Sequence, residues 1–255
     1  MLTPAQWLLG SLAALLIGFS KTGLPSAGIL AVPLMALVFQ GRVAVGTTVL
    51  LLIVADLFAV GWYRRYTRWD KLWQLMPWVM LGMLAGVITL LMVGEDARGG
   101  DRLNTWIGGL VLAMLGIYLV RFRLRAQMRL ASLPGLIATG SAAGFATAVS
   151  NAAGPIMSIY MTSLGLPKYE LMGTTAWYFL LFNLTKLPLY LLVTALAPQR
   201  PLFTADGLLF DLIALPAVLA GVWLGRWALP RLPQRLFDAL VLGLSAVAAL
   251  VLILG

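Results

Sequence analysis

The sequence predicts an all-α, polytopic membrane protein, and three observations carry that expectation. Of 255 residues, 61% are hydrophobic and 11% are charged; a soluble domain carries about 25% charged residues. The mean hydropathy is +0.95. Apolar runs recur along the whole chain, and most Lys and Arg fall in the loops between them. One membrane domain over 1–255 is the simplest organisation.

The net charge of +9 would suggest nucleic acid in a soluble protein. Here the basic residues flank apolar runs, so topology and a bilayer with anionic lipid explain them, and no nucleic-acid partner is expected. The chain has no Cys and no His. That removes thiolate and disulfide chemistry, the commonest general base and the usual ligands of a metal, so no cofactor and no metal are expected. No Lys or Arg precedes the first apolar run, Trp7 to Ile17, which reads as a membrane segment and not as a cleaved signal peptide.

Ten apolar segments lie near 5–20, 28–39, 43–63, 72–93, 103–120, 132–149, 154–165, 171–197, 207–229 and 236–254. About 20 residues are needed to cross roughly 30 Å of hydrocarbon. The first, second, sixth and seventh segments are read as too short. Each short pair flanks a polar, glycine-bounded stretch: Gly18 to Gly28, and Gly144 to Gly154. Broken or re-entrant helices meeting near the midplane fit this pattern, because irregular backbone at that depth must be buried or line a cavity. Ordinary short spans with tight turns are the alternative.

The two halves echo one another. Gly18 and Gly28 recur as Gly144 and Gly154, at an offset of 126. Gly46-Thr47-Thr48 recurs as Gly173-Thr174-Thr175 at 127, and Asp56 falls opposite Asn183. Pro77, Gly82 and Gly86 recur as Pro216, Gly221 and Gly225 at 139. The order predicts a duplication, with repeat 1 at about 1–122 and repeat 2 at about 130–255. Arg64, Arg65, Arg68 and Lys71 follow the third segment. Arg121, Arg123, Arg125 and Arg129 follow the fifth, and Arg226, Arg231 and Arg235 lie at the end of the ninth and before the tenth. By the positive-inside rule these loops are cytoplasmic. The loop of Glu95, Asp96 and Asp101 is then external. Equivalent segments run in opposite directions, which makes the repeats inverted and puts both chain ends outside.

Several polar residues are candidates for a site between the two breaks. Lys21 sits in the first break with Ser20, Thr22 and Ser26, ahead of a helix start after Pro25. A lysine at mid-membrane costs about 2.5–3.5 kcal/mol on insertion scales and is expected to face a cavity. An ammonium beside free backbone N–H groups favours an anion; the alternative is a lysine that snorkels from a simple loop. Ser150 and Asn151 are the counterparts in the second break, as ligands, as helix caps or both. Asn183 and Lys186 share one face of the eighth segment, with Pro188 just beyond. Asp56 is the one carboxylate deep in an apolar segment, suited to an ion pair or to proton coupling. Thr47, Thr48, Thr174 and Thr175 follow glycines. They either donate to an anion, Thr174 being the one retained as a candidate, or bond their own helix. Trp62, Trp69, Trp73, Trp78 and Trp106 read as interfacial anchors, and Trp177 and Tyr178 stand near the start of the eighth segment.

At these residues the chain resembles the sulfite exporter TauE/SafE family of bacterial membrane proteins. The carriers in the first half are Gly18-Phe19-Ser20-Lys21-Thr22-Gly23 through Ala31-Val32-Pro33-Leu34, and Gly46-Thr47-Thr48. In the second half they are Asn151-Ala152-Ala153-Gly154-Pro155, Gly165-Leu166-Pro167-Lys168, Gly173-Thr174-Thr175 and Asn183-Leu184-Thr185-Lys186-Leu187-Pro188. Many members carry a run of glycines in the first break; Lys21-Thr22-Gly23-Leu24-Pro25-Ser26 replaces it here and looks like a distinct branch. The resemblance implies a secondary transporter, not an enzyme, in the bacterial inner membrane. It implies export of sulfite, sulfoacetate, other organosulfonates or similar small organic anions. Coupling to a proton or sodium ion, and an oligomer, are compatible with it. A membrane-embedded enzyme with a Ser–Lys pair and a non-transporting assembly subunit are the rival classes.

Overall fold

The computed structural model describes residues 2–39, 41–92, 112 and 132–254. Nearly all of the fifth segment lies outside them, as do Trp106, the loop of Glu95, Asp96 and Asp101, and the basic run from Arg121 to Arg129. Among the described residues every regular element is helical. Helix α1 spans Pro4–Thr22, a 3-10 turn Pro25–Leu30 leads into α2 (Ala31–Val38), and α3 spans Gly41–Tyr63. A short 3-10 turn, Arg64–Tyr66, joins α3 to α4 (Trp69–Met92). The second half contributes α5 (Leu133–Ser150), α6 (Gly154–Ser163), α7 (Lys168–Leu196), α8 (Ala205–Arg231) and α9 (Gln234–Leu254).

Among the described residues, five helical stretches are long and apolar enough to cross a membrane: Arg42–Tyr66, Trp69–Met92, Leu133–Ser150, Lys168–Leu196 and Ala205–Arg231. This corrects the reading of the sixth segment as too short, since α5 has 18 residues, or about 27 Å. Helix α1 also outruns its apolar run. Thr3 caps it through a capping box with Gln6, and it continues through Ser20, Lys21 and Thr22 to 19 residues. The breaks are therefore shorter than the glycine-to-glycine stretches suggest. The first is Gly23-Leu24; the second is Asn151-Ala152-Ala153. Helices α2 and α6, with 8 and 10 residues, remain too short to cross.

Close backbone approach at glycine decides how the long helices pair. A Cβ on Gly18 would collide with the Val218 carbonyl, and one on Gly221 with the Leu15 carbonyl, so α1 lies directly on α8. A Cβ on Gly144 would collide with the Val79 carbonyl, and one on Gly82 with the Ser141 carbonyl, so α5 lies directly on α4. The second set of contacts repeats the first at the offsets of 126 and 139 noted above. Each first helix of a half thus packs on a helix of the other half. Both pairs run side by side in the same direction: Gly10 lies against Phe210, and Gly23 against Gly225.

Helices α3 and α7 cross in opposite directions. Asp56 meets Asn183 near their middles, and Gly173 at the start of α7 lies against Tyr63 and Thr67 beyond the middle of α3. One end of the bundle collects Arg64, Arg65, Arg68 and Lys71 beside the start of α7. Arg68 pairs there with Glu170 at 3.1 Å. Lys168 donates to the carbonyls of Leu229 (3.0 Å) and Leu232, which brings Arg231 and Gln234 to the same end. The opposite end joins the start of α3 to the chain before α8: Gly46 lies against Leu202, Gly207 lies against Thr47, and Arg42 donates to the Arg200 carbonyl at 3.5 Å.

Candidate functional site

The two breaks touch at the centre. Gly154 lies against the Pro25 carbonyl, where a Cβ would stand 3.1 Å from the oxygen. Helix α1 ends at Gly23, whose N–H caps the Phe19 carbonyl; α5 ends at Asn151, which adopts φ 57°, ψ 22°. That left-handed conformation is costly for most residues and tolerated by Asn, and it turns the Asn151 side chain inward. Proline opens the next element on each side, Pro25 in the 3-10 turn and Pro155 in α6. Two helix C-termini and two helix starts therefore converge on one point.

Around that point lies a small cavity. Ser20 and Lys21 line it from α1, Thr147 and Asn151 from α5, and Thr175, Phe179 and Asn183 from α7. Gly28 and Gly154 contribute bare backbone.

Lys21 is buried and forms an ion pair with Asp56, Nζ to Oδ1 at 2.9 Å. Its ammonium also sits 3.7 Å from the centroid of the Phe179 ring. The other Asp56 oxygen accepts from Asn183 Nδ2 at 2.6 Å. Both carboxylate oxygens are thereby engaged, one by a cation and one by an amide, as a buried carboxylate requires.

Lys186 is fully buried. Its Nζ donates to the Thr147 carbonyl at 3.1 Å, to Thr147 Oγ1 at 3.2 Å and to Asn151 Oδ1 at 2.6 Å. Asn151 Nδ2 donates to the Val45 carbonyl at 3.1 Å, which fixes the orientation of the amide. Lys186 does not itself line the cavity. It stands behind Thr147 and Asn151, which do.

Two buried tyrosines hold the helix ends that carry these groups. Tyr63 Oη donates to the Thr22 carbonyl at 2.8 Å, and Tyr190 Oη to the Ala148 carbonyl at 2.7 Å. A helix end leaves carbonyls without intrahelical partners, and in a dry interior each needs a donor.

A family model, Sulfite exporter TauE/SafE, matches residues 10–252. The chain belongs to the sulfite exporter TauE/SafE family. Membership implies a membrane transporter, rather than an enzyme, that moves small sulfur anions such as sulfite across a bilayer. No protein of curated function and no solved structure matches the chain.

Among the residues singled out in the sequence, this TauE/SafE chain gathers Ser20, Lys21, Asn151 and Asn183 on the cavity, with Asp56 and Lys186 immediately behind. Three others lie elsewhere. Thr22 Oγ1 donates to the Val222 carbonyl at 2.7 Å, in the α1–α8 contact. Ser150 Oγ turns back to the Ala146 carbonyl at 3.4 Å. Thr174 Oγ1 donates to the Glu170 carbonyl at 2.7 Å and accepts from the Arg68 N–H at 2.9 Å, at the basic end of the bundle. None of the three lines the cavity. Thr47 lies against Gly207, Thr48 bonds the Ala44 carbonyl, and Thr175, although it lines the cavity, bonds the Leu171 carbonyl.

Sequence reasoning missed Thr147, Phe179 and the two tyrosines. Thr147 had a signal, since it stands 126 positions after Lys21. Tyr63 and Tyr190 stand at the offset of 127 that relates Asp56 to Asn183. Phe179 had none: an aromatic residue in an apolar helix is ordinary.

Proposed function

We propose that this protein is a secondary transporter that carries a small sulfur oxyanion or organosulfonate across the bacterial inner membrane by alternating access. The observation that carries the proposal is the convergence of the two breaks on a cavity bordered by Lys21, Asn151 and Asn183. An anion there meets the Lys21 ammonium, the Asn151 and Asn183 side chains, and the helix starts at Pro25 and Gly154. Lys186 adds positive charge from behind Thr147 and Asn151.

The halves act as inverted repeats related by an axis through the Asp56–Asn183 contact. What supports this is the pairing of α1 on α8 and α5 on α4 through equivalent glycines, with α3 and α7 antiparallel. In transporters of this kind, broken helices meet at the midplane and one unit rocks against the other. By the positive-inside rule, the end holding Arg64, Arg65, Lys168 and Arg231 is cytoplasmic. Asp56 is the residue that takes and releases the coupling proton, because among the described residues it is the carboxylate that joins the substrate-facing Lys21 to the α3–α7 crossing.

The test is flux into proteoliposomes across sulfite, sulfoacetate, taurine, thiosulfate and small carboxylates, with Lys21→Met and Lys186→Met alongside. The expected result is saturable flux of one anion class that both substitutions abolish while the proteins remain folded. Flux indifferent to both lysines would contradict the proposal.

A further inference from the structure

The buried ionic groups around the cavity do not balance. Among the described residues, Lys21, Asp56 and Lys186 are the charged side chains of the site, two positive and one negative. Lys21 and Asp56 neutralise each other at 2.9 Å. Lys186, with no exposed surface, is held by three oxygens of Thr147 and Asn151, none of which carries a charge. Three oxygen acceptors match the three N–H groups of an ammonium, and none of them offsets the charge that this form carries. The second half has no carboxylate to meet it, because position 183 holds an amide where its counterpart at 56 holds a carboxylate.

We infer that the site is built for an anion of charge minus one, and that a dianion is bound only together with a proton on Asp56. This rests on the anion site proposed above. A net charge in a dry interior is costly, and the cost falls when a ligand of equal and opposite charge enters. A monoanion neutralises the surplus left by Lys186. A dianion would leave one negative charge over. Adding a proton from water to Asp56 restores the balance, with Lys21 and Lys186 then facing two negative charges. The amide of Asn183 remains beside the protonated carboxyl.

Among the described residues, α1 supplies Lys21 and α7 supplies Asn183 as the partners of Asp56, with the Lys186 Nζ near enough to act on it through charge. Helix α8 also packs on α3. Its Arg226 stacks on Trp62, 4.2 Å from ring centroid to guanidinium carbon, beyond Asp56 towards the basic end. Its buried Asp211 lies one turn after Gly207, which abuts Thr47 towards the other end.

Methanesulfonate and sulfate test the inference, because they have nearly the same shape and differ in charge. Their binding to the full-length protein in detergent is measured calorimetrically in two buffers of different ionisation enthalpy, which counts protons. Methanesulfonate is expected to bind without proton uptake. Sulfate is expected to bind with uptake of about one proton, its affinity falling about tenfold for each pH unit as pH rises. In Asp56→Asn the proton uptake disappears, and the affinity ratio of sulfate to methanesulfonate rises at least about tenfold. In Asp211→Asn the proton count is unchanged. Sulfate binding without proton uptake, an unchanged ratio in Asp56→Asn, or loss of the proton in Asp211→Asn would each overturn the charge rule. If Asp56→Asn does not fold, the proton count on the unsubstituted protein decides alone. Failure of both anions to bind the unsubstituted protein would instead overturn the anion site on which the rule rests.

Discussion

Asp56 and Asn183 stand 127 positions apart and share a buried hydrogen bond of 2.6 Å. They are the residues that the proposed internal repeat would place opposite each other, and they touch. Contact between equivalent positions is what a two-fold arrangement of two halves produces on its axis. Lys21 completes the cluster from α1. One carboxylate thus ties together α1, α3 and α7.

The first expectation concerns that ion pair. Removing one partner strands the other charge in a dry interior, at a cost of about 3–5 kcal/mol. Asp56→Leu should therefore lower the unfolding temperature in detergent strongly. The double variant Lys21→Met/Asp56→Leu should recover most of the loss. A double variant no more stable than Asp56→Leu would show that the two side chains do not depend on each other.

Tyr63 and Tyr190 make matching bonds to the carbonyls of Thr22 and Ala148. Tyr63→Phe and Tyr190→Phe each delete one hydroxyl and keep the ring. Each should cost about 1–3 kcal/mol, since a buried carbonyl loses a donor. Thermal unfolding of both variants measures this. A loss in neither would contradict the role of these hydroxyls in holding the helix ends.

Glycine substitutions should separate sharply by position. Gly18→Ala and Gly144→Ala drive a Cβ into backbone of the partner helix, whereas nothing lies within 4 Å of a Cβ on Gly61. The first two should abolish folded protein or destabilise it by more than the roughly 1–3 kcal/mol usual for overpacking. Gly61→Ala should be neutral or slightly stabilising. Monodispersity after extraction reports the difference; equal behaviour of all three would contradict the α1–α8 and α5–α4 pairing.

Orientation is open to a direct check, because the chain has no cysteine of its own. Arg65 and Gln199 are exposed at opposite ends of the bundle. In intact cells, a membrane-impermeant thiol reagent should label Gln199→Cys but not Arg65→Cys. Both should label once the cells are permeabilised. Labelling in the reverse order would invert the proposed topology.

Much of this was legible in the chain. Apolar runs gave the helices, and the recurring glycines, read from the chain as marks of a repeat, turn out to sit at the helix contacts, because only glycine lets two backbones approach so closely. Lys21, Asp56, Asn183 and Lys186 stood out because charge and amide are costly in an apolar helix. Helix ends were less legible. Ser20, Lys21 and Thr22 look like loop by polarity, yet they continue α1, since their side chains find Ile17, Asp56 and Val222. Hydroxyl roles were least legible of all. Thr147 and Thr174 are the same residue type in apolar helices of the second half; tertiary packing sends one to the cavity and the other to the basic end.

The central claim is that the transported anion occupies the cavity beside Lys21, and its most direct test is substrate protection of Ser20→Cys. Ser20 lines the cavity next to Lys21, and its cysteine would be the only thiol in the protein. The rate of its modification by a small thiol reagent is measured with increasing methanesulfonate, or with whichever sulfonate gives saturable flux. The account predicts that modification slows as the sulfonate saturates, with half-protection near the half-saturation of flux, and that Lys21→Met removes the protection. An unchanged rate of modification at saturating, transported sulfonate would place the substrate elsewhere and contradict the account.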